Sequence, residues 1–184
     1  MATRNRSEAA ARLTDLVPRA LRKEFPGLTW NPAPTAVREQ EPATAHSPDG
    51  AIVRIQLLSA TGYPRWPTER VDLVQRYSDA PPARLSVPTA AGFAAAKASA
   101  WRDRRASRDL WDLWALAARG HLDVEAARLY ARLGPTNRAP DPDDYETAPE
   151  QRHWERDLGG QVRLTISAGE AADAVATAWR RVTV

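Results

Sequence analysis

The stretch AAAKASAWRDRRASRDLWDLWALAARG, residues 94–120, decides the reading of this chain. Its alanines and leucines are strong helix formers, and Thr89 and Ser107 belong to the residue types that cap helix starts. The pattern predicts two consecutive helices, about 90–105 and 108–119, the second closed by Gly120. Of the 26 basic residues in the protein only two are lysine, Lys23 and Lys97. Lys97 heads a run of arginines and tryptophans that leads to the aspartates Asp109 and Asp112.

Outward from this stretch the C-terminal side stays helical. Asp123 is placed to cap VEAARLYARL, which Gly134 closes. Residues 135–150 form an acidic, proline-rich loop, and a helix follows around Trp154. SAGE, 167–170, has the capping-box form and opens a last helix running to Arg181. The N-terminal side is richer in strands. A helix is expected over 7–25, with Ser7 as its cap, Pro18 inside it and FPG stopping it. Leu28 to Trp30 suits a short strand, and the proline-rich segment 31–50 a loop or loose hairpin. AIVRIQLL (51–58) has strand alternation, and ERVDLVQRY (69–77) and ARLSVP (83–88) read as two further strands. The expected class is therefore α+β, with an α/β part over 1–88 and a helical part over 89–184.

Composition narrows the chemistry. With 184 residues, 43% hydrophobic and 27% charged, the chain suits an ordinary globular fold. The absence of cysteine removes disulfides, thiolate nucleophiles and thiolate zinc sites. His46, His121 and His153 stand far apart, so no zinc site is expected. There is no run of about 18 apolar residues and no signal-peptide pattern, so the expected location is the cytoplasm without membrane contact. A net charge of +3 is a weak field, and it does not by itself point to nucleic acid.

Lys97, Ala100, Arg104, Arg108, Asp109, Asp112 and Leu113 spell K-x2-A-x3-R-x3-R-D-x2-D-L. This pattern resembles the C-terminal signature of the AbiEii/AbiGii-type nucleotidyltransferase toxin family. The order of elements around it resembles the family over roughly residues 10–180. The resemblance implies a nucleotidyltransferase-like mixed sheet with a C-terminal helical bundle. It also implies a toxin–antitoxin or phage-defence setting, with a cognate antitoxin as partner. In such an enzyme a nucleotide moves from NTP, with Mg2+, to an RNA or protein acceptor.

By that resemblance Lys97, Arg104 and Arg108 would bind the nucleotide's phosphates, and Asp112 and Asp109 would be catalytic. A lysine is a compact mobile charge that can follow a triphosphate, while arginine forks hold fixed oxygens. Asp109 and Asp112 are three apart, on one helix face, and Arg108 and Asp112, four apart, are spaced to pair. Each also has a plainer reading. A carboxylate in a first helical turn is favoured by the helix dipole, and an exposed Arg–Asp pair is common surface chemistry. Trp101, Trp111 and Trp114 read as core residues rather than base-stacking platforms.

The family's Gly-Ser turn followed by Asp-x-Asp, which holds the divalent ions, has no counterpart before AIVRIQLL, and Asp141 and Asp143 have the spacing only in the late proline-rich loop. Gln56 stands where a third carboxylate is expected. The expectation is a truncated family member, inactive by itself, with no metal site and no tightly bound cofactor. The alternative is a non-catalytic module that binds RNA or a partner. Loss of neighbouring strands would leave an apolar sheet edge open to self-association.

Overall fold

The computed structural model describes residues 6–39, 41–50, 52–58, 62–75 and 82–182. The chain packs as two compact units, 1–63 and 64–184. The sequence suggests a division near residue 88. The observed one leaves the second strand pair with the helices.

The first unit holds helix α1 (Arg6–Ala20) and strands β1 (Thr29–Trp30), β2 (Ala43–His46) and β3 (Ile52–Ile55). The sheet order is β1-β2-β3, antiparallel throughout, with Thr29 opposite His46 and Ala43 opposite Ile55. The turn from β2 to β3 passes through Gly50, whose φ of +84° suits a residue without Cβ. Arg6 ties the start of α1 to this unit, donating from Nη2 to the Val37 carbonyl at 2.7 Å and from Nε to that of Leu57 at 3.3 Å. Trp30 Nε1 donates to the Thr14 carbonyl at 3.1 Å. The helix expected over 7–25 ends at Ala20, two residues past Pro18, and continues as hydrogen-bonded turns through Phe25. Ser7 lies inside the helix rather than at its cap.

The second unit opens with a hairpin of β4 (Thr68–Asp72) and β5 (Arg84–Pro88), antiparallel with Thr68 opposite Pro88. The expected single mixed sheet is not formed among the described residues. β3 and β4 lie in separate antiparallel sheets, because each takes its partner from the nearest strand in sequence, β2 and β5 respectively. The far ends of the strands expected over 51–58 and 69–77 include residues 51, 76 and 77, outside the described residues.

Thr89 then starts α2 (Ala90–Arg104), its hydroxyl accepting the Gly92 N–H at 3.1 Å. Gly92 is needed there: a Cβ would sit 3.0 Å from the Pro67 carbonyl oxygen. The helix ends on Arg105 in the left-handed region, φ 50° and ψ 34°, and the chain turns a corner into α3 (Ser107–Ala117). Next come α4 (Val124–Leu133), capped by Asp123, a 3-10 turn (Pro142–Tyr145), α5 (Gln151–Leu158) and α6 (Ala168–Val182). Ser167 and Glu170 form the capping box of α6, the serine N–H donating to the carboxylate at 2.9 Å.

The core of this unit is aromatic and aliphatic. Trp101, Tyr130, Trp154 and Trp179 are buried with Leu110, Leu113, Leu129, Leu158 and Val175. Full burial of one such aliphatic side chain stabilises by about 1.5–3 kcal/mol before entropy is counted. Trp111 and Trp114 pack partly buried against the core, their ring centroids 4.7 Å apart. The architecture is thus α+β, with helices α2 to α6 forming the C-terminal bundle.

Candidate functional site

The site is built where α3 folds back along α2. Lys97 and Arg104 are seven residues apart, two turns, and share one face of α2. Asp109 and Asp112 share a face of α3. The left-handed corner at Arg105 breaks the helix between them, so that the two faces meet.

Asp109 is the centre of the cluster. It is fully buried, yet its carboxylate is satisfied from three directions. Arg104 donates Nε to Oδ2 at 2.7 Å and Nη2 to Oδ1 at 2.9 Å. Lys97 Nζ donates to Oδ1 at 3.2 Å. Burial alone would push this carboxyl up. The Arg104 and Lys97 hydrogen bonds and charges outweigh it and hold the group below the usual carboxylate range. The same carboxylate raises the Arg104 guanidinium above its ordinary value, chiefly through their hydrogen bond.

Lys97 spans the two aspartates. Its Nζ also lies 2.5 Å from Asp112 Oδ2 and 5.2 Å from the centroid of the Phe93 ring. The lysine side chain is 20% exposed and that of Asp112 34%, so the Lys97–Asp112 end of the cluster reaches solvent while the Asp109 end does not. Four of the five residues proposed from the sequence are therefore brought together. Arg108 is not. It is exposed, makes no ion pair with any described residue, and does not hold Asp112, because α3 presents that aspartate to Lys97 instead.

The carboxylates present do not fit a divalent cation. Both oxygens of the buried Asp109 are taken up by Arg104 and Lys97, and one oxygen of Asp112 is held by Lys97. Among the described residues no three His, Asp or Glu side chains gather into a group able to hold a metal ion. What the cluster can do is present one ammonium, fixed on its inner side, to an anion arriving from solvent.

A second polar cluster was not anticipated from the sequence. Asp144, in the 3-10 turn, pairs with Arg102 Nη1 at 2.5 Å and Arg105 Nη2 at 3.3 Å, and the Asp144 backbone oxygen accepts Trp101 Nε1 at 3.1 Å and a further Arg105 N–H. The Trp101 ring stacks on Tyr145 with centroids 5.9 Å apart. The sequence signal was the pairing of RDRR with the acidic loop, but a separation of about forty residues gave no register.

Residues 3–180 match the family of the nucleotidyl transferase AbiEii toxin, Type IV toxin–antitoxin system. The chain belongs to the AbiEii family. The match spans both units and every residue of the Lys97 cluster. Comparison with curated proteins and with solved structures finds no match. The chain is accordingly an AbiEii-family toxin of a Type IV toxin–antitoxin system. AbiEii-type chemistry implies NTP and a divalent cation, and a toxin of this type implies a cognate antitoxin. No helix among the described residues is long and apolar enough to cross a membrane.

Proposed function

We propose that this AbiEii-family chain contributes the phosphate-binding half of a nucleotidyl-transfer site, and does not transfer nucleotide by itself. Lys97 receives the anionic part of the nucleotide, and Asp112 is the exposed polar partner. Arg104 and Asp109 position Lys97 from beneath. The observation that carries this reading is Lys97 itself, anchored to a fully buried carboxylate while its other side reaches solvent. An ammonium fixed in this way loses less freedom on binding an anion than a free surface lysine does.

Inactivity of the chain alone is supported by the carboxylates. Phosphoryl transfer depends on electrostatic stabilisation of the moving group, to which bound metal ions contribute a large share. The cluster offers no carboxylate set free for such ions. The test incubates purified chain with labelled NTPs, Mg2+ or Mn2+, and RNA and protein acceptors. No transfer is expected, and metal-dependent labelling that follows the protein through purification would contradict the proposal. A role in phage defence rests on the family alone and would be read from phage plating with and without the gene.

One observation favours a second reading, a non-catalytic module that binds RNA or a protein partner. β3 is the last strand of its sheet among the described residues, and Ile52 on it is 58% exposed. Such an edge can accept a strand of the antitoxin or of a second copy. Sedimentation tests self-association at this edge: a concentration-dependent rise in mass supports pairing there, and a monomer at all concentrations opposes it.

A further inference from the structure

We propose that a cleft between α2, α4 and the loop 135–142 is a second phosphate-binding site, separate from Lys97, that takes the terminal phosphate of a nucleotide or of an oligonucleotide chain. The cleft holds about 270 Å3, room for a phosphate and part of the group that carries it. Arg102 and Arg138 stand on its walls, Tyr130 and Thr136 line it, and Pro140 and Pro142 stiffen its rim. Arg102 is five residues from Lys97, about 140° round the helix, so the two cations serve different faces of α2.

Arg102 is held ready. Its Nη1 is fixed by Asp144, and a guanidinium has five N–H donors, so others remain for a ligand. Arg138 is exposed and makes no side-chain hydrogen bond or ion pair with any described residue. The loop carrying it is tied down. Tyr130 is buried on one wall, and the Thr136 hydroxyl donates to the Arg138 carbonyl at 3.1 Å. Asn137, between them, adopts φ 53°, the left-handed region that asparagine tolerates. Asp141 also lines the cleft, but its carboxylate accepts the Asp143 N–H at 3.1 Å. Of the charged residues that line the cleft, Arg102 and Arg138 against Asp141 leave one positive charge, and Asp144 holds Arg102 from outside it. Two arginines converging on a concave, partly apolar surface are suited to a phosphate, which guanidinium forks bind in pairs of hydrogen bonds.

The inference does not depend on Lys97, and its test keeps the two apart. The full chain is titrated calorimetrically with AMP and with one short RNA oligonucleotide carrying either a 5′-phosphate or a 5′-hydroxyl. At least one phosphate-bearing probe should bind. Arg138→Gln should weaken it roughly tenfold, with Arg138→Lys in between, because the fork and its charge are lost separately. Measured in a Lys97→Ala background, which removes the first site, binding of that probe should persist and should still fall with Arg138→Gln. Binding of AMP identifies the free nucleotide as the source. Binding of the phosphorylated oligonucleotide over its hydroxyl form, without AMP, identifies a chain end. No binding of either phosphate probe, or equal affinities for Arg138→Gln and wild type, overturns the proposal. Loss of all binding in Lys97→Ala overturns it too, while leaving the Lys97 reading intact.

Discussion

Arg104 grips Asp109 through two near-parallel hydrogen bonds of 2.7 and 2.9 Å, across a helix corner only five residues long. The carboxylate is fully buried while the Arg104 side chain is 44% exposed. The pair joins the end of α2 to the start of α3, and in doing so fixes the floor beneath Lys97.

Substitution should separate this floor from the exposed rim. Asp109→Asn leaves two cations facing a neutral amide. Removing one partner of a buried pair costs about 3–5 kcal/mol where the remaining charge stays buried. Both cations here reach water, so a loss of about 2–3 kcal/mol is expected. Asp112→Asn should cost less than about 1 kcal/mol, because that pair is partly solvated. Urea denaturation of the two variants measures the difference, and equal losses would place Asp109 outside the fold's support.

The pH dependence follows from the same carboxylate. Burial opposes ionisation of Asp109, but Arg104 and Lys97 prevail and depress its folded pKa. A depressed carboxyl contributes stability that is complete above the unfolded value, near 3.9, and is lost as pH falls through the folded value. Wild type should therefore shed up to about 1.4 kcal/mol per pH unit from this one group below pH ~4. Asp109→Asn should show a shallower acid limb in denaturation midpoints measured against pH. An unchanged slope would mean that Asp109 titrates normally.

Capping tests the local reading of the bundle. Thr89→Ala removes the acceptor for the Gly92 N–H, and Asp123→Ala that for the Ala126 N–H. Each should lower stability by about 1 kcal/mol. Ser107→Ala should behave differently, since Ser107 is no cap. Its hydroxyl donates to Asp157 Oδ2 at 3.1 Å, and its loss should loosen α5 from α3. Hydrogen exchange of the α5 amides reads this directly, and protection equal to wild type would contradict it.

These cases also mark what the sequence could and could not reveal. Thr89, Asp123 and the Ser167–Glu170 box were legible because a cap and the N–H it meets lie within three residues. Ser107 misled because its hydroxyl is claimed by a residue fifty positions away. The α+β class followed from local periodicity, whereas strand pairing did not. ATAH in the proline-rich segment carried too few large apolar residues to announce β2, the strand that completes the first sheet. In the site, helical spacing paired Arg108 with Asp112. The structure pairs Arg104 with Asp109, five apart, a separation that faces across no continuous helix. Only the left-handed residue at Arg105 makes that contact, and an arginine does not advertise such a conformation.

Lys97→Arg should retain charge but lose fit. A planar fork cannot sit between Asp109 and Asp112 as a compact ammonium does. Triphosphate affinity at this site should fall severalfold, and that of Lys97→Ala by roughly tenfold or more. An arginine variant binding as well as wild type would show that charge alone suffices.

The chain's two lysines allow the most direct test of the central claim, that Lys97 is the group that meets the nucleotide's phosphates. Protein labelled with nitrogen-15 in lysine alone gives two ammonium signals, with Lys23 as an internal reference. The account predicts that added nucleoside triphosphate shifts the Lys97 signal in a saturable way and leaves Lys23 in place. A Lys97 signal that stays still at saturating triphosphate, or moves only in step with Lys23, would contradict it and leave Lys97 as the bridge between two aspartates.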